Sequence, residues 1–294
     1  MKIEKDYFGE HYSYISEARA KRPQELAALK NEAPHNPQTC YFCPGNEAQT
    51  PPEIGRVSDG KGGWSMRWFP NKFPALSPDE GFHEVIVETP DPQKQLWDFS
   101  ESELSQLLRV YQERMKAHLA DEKIKAVCVF KNHGFEAGAS IAHSHTQVIA
   151  TSVTSSRPER MRRPDCVYCK ILHDLPEALL IGKNDEFTTF SPQAPRVSME
   201  SWIMSKNHGE FASFSSDTLM MLAKSLETIV KKLRELSAPY CFYLNALSGN
   251  NDTHFCLEIL PRLNKWAGFE LATGDYIIDV TPEQSAEFFR QAKS

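Results

Sequence analysis

No stretch of this sequence stays apolar long enough to span a bilayer, and Met1 to Tyr7 hold no run of the kind that targets a chain for export. A cytoplasmic protein with no membrane partner is expected. Basic residues are in the minority, 33 Lys and Arg against 39 Asp and Glu, and the formal charge of -6 gives no electrostatic reason to expect a nucleic acid partner. Any phosphate-bearing ligand must therefore be held by local groups. Cysteines are few and odd in number: the seven present exclude a fully paired disulfide framework. Four of them form two Cys-x-x-Cys pairs, Cys40/Cys43 and Cys166/Cys169, which in a reducing compartment suggest metal or redox chemistry. Cys128 and Cys241 sit in apolar runs and read as core thiols.

What is present is a pattern that occurs twice. With 294 residues, 40% of them hydrophobic, the chain can form one large domain or two medium ones. Short strands are expected at Tyr12–Ser16, His83–Glu88, Ala126–Phe130, Trp202–Met204 and Tyr240–Leu244. Phe69 to Leu76 reads as a proline-framed loop. Apolar residues at helical spacing predict long helices over Ser100–Leu119 (Leu104, Leu107, Leu108, Tyr111, Met115) and Thr218–Leu236 (Leu219, Leu222, Leu226, Ile229, Val230, Leu233). Subtraction shows the repeat: Cys166 follows Cys40 by 126 residues, Glu200 follows Glu84 by 116, Asn245 follows Asn132 by 113 and His254 follows His143 by 111. The slowly shrinking offset is what shortened loops between matched elements would give. The expected organisation is α+β, a duplicated strand-rich unit with one long helix per copy. Residues 1–155 form the first copy and 156–294 the second, joined by a Ser/Arg/Pro-rich linker from Ser152 to Pro164.

The repeat also separates roles among the polar residues. Cys166, Cys169, His208 and His254 make a complete set of two thiols and two imidazoles, a ligand set for tetrahedral structural zinc. A redox Cys-x-x-Cys is the competing reading. In the first copy Cys40, Cys43 and His143 recur, but the local offset of 116 puts His208 on Pro92, which cannot bind a metal. That site either holds zinc with water or a neighbour (Asp91, His83) completing it, or holds none. With the offset of 111, His145 falls on Cys256 and Gln147 on Glu258. A group present once per chain points to chemistry, so His143 reads as ligand or scaffold and His145 as the reactive residue.

On a strand, His143, His145 and Gln147 would point the same way. A neutral histidine attacks phosphorus when its other ring nitrogen donates to a carbonyl, which fixes the tautomer. The phosphoryl oxygens then need donors. Gly138, Ala139 and Ser140 offer backbone N–H groups and a hydroxyl, and Gln147 an amide. A Gln in place of a third His withholds a base for activating water, which favours transfer to a second phosphate over hydrolysis. Arg19 and Arg22, three apart before Pro23, are either solvated surface or a fork for phosphate oxygens.

These residues together resemble those of the galactose-1-phosphate uridylyltransferases, a two-repeat branch of the histidine-triad superfamily. The marks are Arg19 and Arg22 before Pro23, Cys40/Cys43 with Pro44-Gly45-Asn46, Phe69-Pro70-Asn71-Lys72-Phe73-Pro74, Asn132-x-Gly134 through Gly138-Ala139-Ser140, and His143-x-His145-x-Gln147. The tail from Ala267-Gly268-Phe269-Glu270 to Thr281-Pro282-Glu283 is similar to the family's sugar-contacting end. Gly268 to Gly274 and the paired Cys166/Cys169 resemble ADP-glucose phosphorylases of the same branch equally well. The resemblance implies histidine-triad-like units with an antiparallel sheet, zinc, a possible homodimer, and ping-pong transfer through a covalent nucleotidyl-His145. It also implies that Asn71, Asn132, Ser140 and Gln147 hold the nucleotide and its phosphates, with Arg19 and Arg22 nearby. Phe269 and Glu270 would lie near the hexose.

The first expectation is therefore a transferase that moves UMP between a UDP-hexose and a hexose-1-phosphate. The alternative is a nucleotide-sugar phosphorylase that uses inorganic phosphate as acceptor. A non-catalytic, zinc-stapled nucleotide-binding protein is the third.

Overall fold

The computed structural model describes residues 1–16, 38–154, 166–249 and 253–291. Arg19 and Arg22 lie outside them, as does most of the expected linker. Two N-terminal strands, β1 (Lys2–Lys5) and β2 (Tyr12–Ile15), precede β3 (Gly55–Ser58), the first strand of the main sheet. There follow β4 (Trp64–Pro70), β5 (Gly81–Val87), helix α1 (Glu101–Leu119), β6 (Ala126–His133) and β7 (His145–Thr151). The second half brings α2 (Val167–Asp174), β8 (Leu180–Lys183), β9 (Phe187–Phe190), β10 (Ser201–Ser205), α3 (Ser216–Glu235), β11 (Tyr240–Leu247) and β12 (Cys256–Pro261). The chain closes with α4 (Gly268–Thr273), β13 (Tyr276–Ile278) and α5 (Pro282–Arg290).

Ten strands make one antiparallel sheet in the order β3-β4-β5-β7-β6-β11-β12-β10-β9-β8. That order reads as two five-stranded halves facing each other across the β6–β11 pair, which runs in register from Ala126↔Leu247 to His133↔Tyr240. Each long helix starts at a serine N-cap, Ser100 accepting from Glu103 N and Ser215 from Thr218 N. α1 and α3 pack on each other over one sheet face, and their apolar stripes join Val127, Val129, Val148, Leu257 and Ile259 in the main core. Alternation sends the neighbouring residues to the opposite face.

On that opposite face each half carries a small cluster around its Cys pair. Cys40, Phe42 and Cys43 pack with Val85 and Val87 in the first, and Cys166, Tyr168, Trp202 and Met204 in the second. Phe42 and Tyr168 occupy matching places between the two cysteines. A separate three-stranded sheet, β1-β2-β13, joins the two chain ends.

Several sequence expectations change. Phe69 and Pro70 end a strand rather than open a loop, and β6 continues through Lys131, Asn132 and His133. Strands β3, β8 and β9 and helix α2, with Cys169 inside it, carry too little period to be read from the sequence. Cys128 and Cys241 are half-buried on the face away from the helices, not core thiols. Leu222 on α3 is fully buried in the main core. Leu222→Ala should therefore cost about 2–5 kcal/mol of stability in urea unfolding; a loss below about 1 kcal/mol would show that α3 does not carry the core.

Candidate active site and metal centres

β7 begins at His145, so His143 stands before the strand and the expected row of three side chains divides. His143 turns to the Cys40/Cys43 knuckle: its Nε2–H donates to the Thr89 carbonyl (2.7 Å), and its Nδ1 lies 3.5 Å from Cys40 Sγ and 3.6 Å from Cys43 Sγ. His254 repeats this arrangement. Its Nε2–H donates to the Ser205 carbonyl, and its Nδ1 lies 3.8 Å and 3.7 Å from Cys166 and Cys169 Sγ. His208 Nε2 approaches Cys169 Sγ at 3.1 Å. Zinc–sulfur and zinc–nitrogen bonds of about 2.3 and 2.05 Å at a tetrahedral angle put S and N about 3.6 Å apart, close to the spacing at both His143 and His254. A carbonyl bound to the far ring nitrogen is the usual orienting partner of a metal-ligating imidazole.

Among the described residues the groups that can hold a metal are therefore Cys166, Cys169, His208 and His254, and Cys40, Cys43 and His143. The first is a complete tetrahedral set; the second offers three donors among the described residues. Neither neighbour suggested by the sequence completes it. Asp91 accepts from Gln93 N (2.9 Å) in a local turn, and His83 lies at the other end of the site, against Gln147.

His145 and Gln147 share the open face of β7 and line a solvent-open cleft of about 700 Å³ with Asn71, Ser140, Lys72 and Phe42. His145 Nδ1–H donates to the His143 carbonyl at 2.8 Å, so Nε2 keeps its lone pair. Burial, followed by the nearby Lys131 charge, lowers the His145 pKa to about 4. The ring packs edge-on against Phe42, with centroids 5.2 Å apart.

The orientation of Gln147 follows from its neighbours. Ala75 N–H donates to His83 Nδ1 at 3.0 Å, which leaves the proton on Nε2. His83 Nε2–H then donates to Gln147 Oε1 at 2.8 Å, and Asn71 Nδ2 reaches the same oxygen at 3.4 Å. The Gln147 carbonyl is thus committed, and its NH2 group is the one left for a ligand. Burial holds the His83 imidazole below its ordinary pKa, in keeping with this neutral tautomer. His83 was foreseen only as a stand-in metal ligand. The signal for its place was that it shares a strand face with Val85, the residue that pairs with Gln147.

Other expected site residues are not gathered here. Gly138 (φ +89°) ends a short 3-10 turn, and the amides of Gly138 and Ala139 donate within it to Phe135 and Gly134 carbonyls. They shape the loop and are not free phosphate donors. Asn132 lies on β6 with its amide beside Gly138, outside the cleft lining. Phe269 stacks edge-on with Tyr14, and Glu270 caps Ala267 N in α4; neither lines the His145 cleft.

The four-donor set predicts at least one zinc per chain by elemental analysis, with Cys166→Ser lowering the content by about one. Unchanged content in that variant would remove the assignment.

A profile described as the N-terminal domain of a domain of unknown function, DUF4931, matches residues 24–153. ADP-glucose phosphorylase of Arabidopsis thaliana is 30% identical over an alignment covering 98% of this chain and 92% of that protein. Galactose-1-phosphate uridylyltransferase of Thermotoga maritima is 24% identical, covering 100% and 99%. The crystal structure of the Arabidopsis thaliana ADP-glucose phosphorylase with bound ADP-glucose superposes with a TM-score of 0.86 at 28% identity, covering 100% of this chain and 99% of that one. A uridylyltransferase structure at 23% identity (TM-score 0.74) shares the fold. With this identity sustained over nearly the whole of both chains, the protein belongs to the family of galactose-1-phosphate uridylyltransferases and ADP-glucose phosphorylase.

Proposed function

We propose that this enzyme of the uridylyltransferase and phosphorylase family transfers a nucleoside monophosphate from a nucleotide sugar, through His145, to inorganic phosphate. The observation that carries the reading is the bond from His145 Nδ1 to the His143 carbonyl, which leaves the Nε2 lone pair in the cleft. Nε2 attacks the phosphorus next to the nucleoside, and the anhydride P–O bond breaks with its electron pair leaving on the sugar phosphate. The imidazole acquires positive charge as the N–P bond forms, and the His143 carbonyl offsets it through the retained Nδ1–H. The Gln147 NH2 group and the Ser140 hydroxyl donate to the phosphoryl oxygens, and Lys72 on the cleft wall supplies a cation. In the second half-reaction a phosphate oxygen attacks phosphorus, the N–P bond breaks, and its electrons return to Nε2. Zinc, held by Cys166, Cys169, His208 and His254, would staple α2 to the strands beneath it.

Phosphate as acceptor is favoured over hexose-1-phosphate by the higher identity to ADP-glucose phosphorylase, 30% against 24%. The second reading, UMP transfer between UDP-hexose and hexose-1-phosphate, uses the same histidine and the same first step. Intact mass spectrometry separates them. ADP-glucose should leave AMP on the wild-type chain and none on His145→Ala, and added phosphate should release ADP. An adduct from UDP-glucose alone supports the second reading; no adduct from either overturns both.

The orientation of Gln147 gives a further expectation. His83→Phe should slow adduct formation by about 3- to 10-fold, the worth of one hydrogen bond. In a Gln147→Ala background the same substitution should cost nothing more. Additive losses would mean that His83 acts independently of Gln147.

A further inference from the structure

Beneath His145, on the helix side of the sheet, five side chains form a buried polar network to which the chemistry above assigns no part. Lys131 Nζ donates to Glu88 Oε2 at 2.6 Å, to Ser144 Oγ at 2.9 Å and to the His145 carbonyl at 3.1 Å. Ser144 Oγ donates in turn to Glu88 Oε2 at 2.5 Å. The hydroxyls of Tyr111 (3.0 Å) and Thr146 converge on Glu88 Oε1. None of the five exposes more than 2% of its surface.

The second half shows what the fold requires at the same places. Strand registers fix the correspondence: Phe130 faces Gln147 as Tyr243 faces Glu258, and Val87 faces His145 as Met204 faces Cys256. The helices align from their N-caps. Lys131 then matches Leu244, Ser144 matches Phe255, Thr146 matches Leu257, Tyr111 matches Leu226 and Glu88 matches Ser205. All five counterparts are buried, four are apolar and none is charged. The same strands and helix are thus supported without ions where Cys256 stands in the place of His145. Replacing a buried ion pair by apolar residues of similar volume is often neutral or stabilising, so packing alone does not account for the network.

The ladder shows where the network acts. β6 pairs with β7 only as far as Phe130↔Gln147, whereas the equivalent ladder continues one pair further, to Leu244↔Leu257. The strand bearing His145 parts from β6 one residue early, and the Lys131 ammonium holds the His145 carbonyl there.

We propose that the Lys131–Glu88 pair, with Ser144, Thr146 and Tyr111 around it, is a positioning device for the nucleophile. It fixes the His143–His145 backbone so that His145 presents one tautomer and one ring orientation to the phosphorus. The proposal rests on the transfer reading above, and these are positioning residues that act through His145.

The test is the full-length double variant Lys131→Met/Glu88→Gln, which removes both charges together. Its thermal midpoint and zinc content should match or exceed the wild type. Adduct formation from ADP-glucose should slow about 10- to 100-fold in kcat with KM unchanged, as expected for a displaced reacting group. Nitrogen-15 NMR of the histidines, with His145→Ala identifying the signal, should show one Nδ1–H tautomer in the wild type and a mixture in the variant. Wild-type kcat in the variant overturns the proposal, and so does failure to fold, which would make the pair a folding element. Thr146→Val, a milder change to the same network, should slow the step about 3- to 10-fold; no change overturns the proposal independently. If the wild type forms no adduct the functional reading fails, and the tautomer measurement still decides the positioning role.

Discussion

The hydrogen bond from His145 Nδ1 to the His143 carbonyl is the constraint on which the rest of the site depends. It works only because the His143 backbone is itself held. Thr89 and the Cys40/Cys43 knuckle fix the His143 ring, and the start of β7 is gripped from below by Lys131. A histidine whose ring could turn would spend part of its time with the wrong nitrogen forward. The knuckle, the strand start and His145 therefore form one continuous line, and the cleft opens over the ends of β4, β5 and β7.

The two halves put the same scaffold to opposite uses. Both keep a histidine that bonds a strand-end carbonyl through one nitrogen and faces two thiols with the other. The second half keeps the fuller donor set, suited to holding elements together. The first offers three such donors among the described residues and keeps His145, Gln147 and the buried charges.

The repeat made much of this legible before any coordinates. Matching His143 to His254 picked out the two histidines that face thiol pairs, and the mismatch of His145 with Cys256 set apart the histidine that lines the cleft. The two long helices were legible because their apolar stripes have a clear period. Short strands were not: β9 is four residues buried on both faces and so carries no alternation, and β8 is an edge strand with Ile181 alone buried. His83 and Lys131 were missed for a different reason. A lone polar residue in a strand declares nothing until its cross-strand partner is known, and the partners of these two lie 64 and 43 residues away. Gly138 and Ala139 were over-read: small residues permit a close phosphate, but here their amides are spent inside the turn.

The eight-residue pairing of β6 with β11 has a consequence for how the chain can be divided. Each strand covers the other's open edge, so the central backbone groups of both halves are satisfied only in the joined protein. Severing the halves would uncover two eight-residue edges with apolar neighbours, the kind that recruit other strands. One half on its own would find its most suitable cover in another copy of itself. The covalent link between copies therefore acts as protection against self-association, whatever it also does for catalysis.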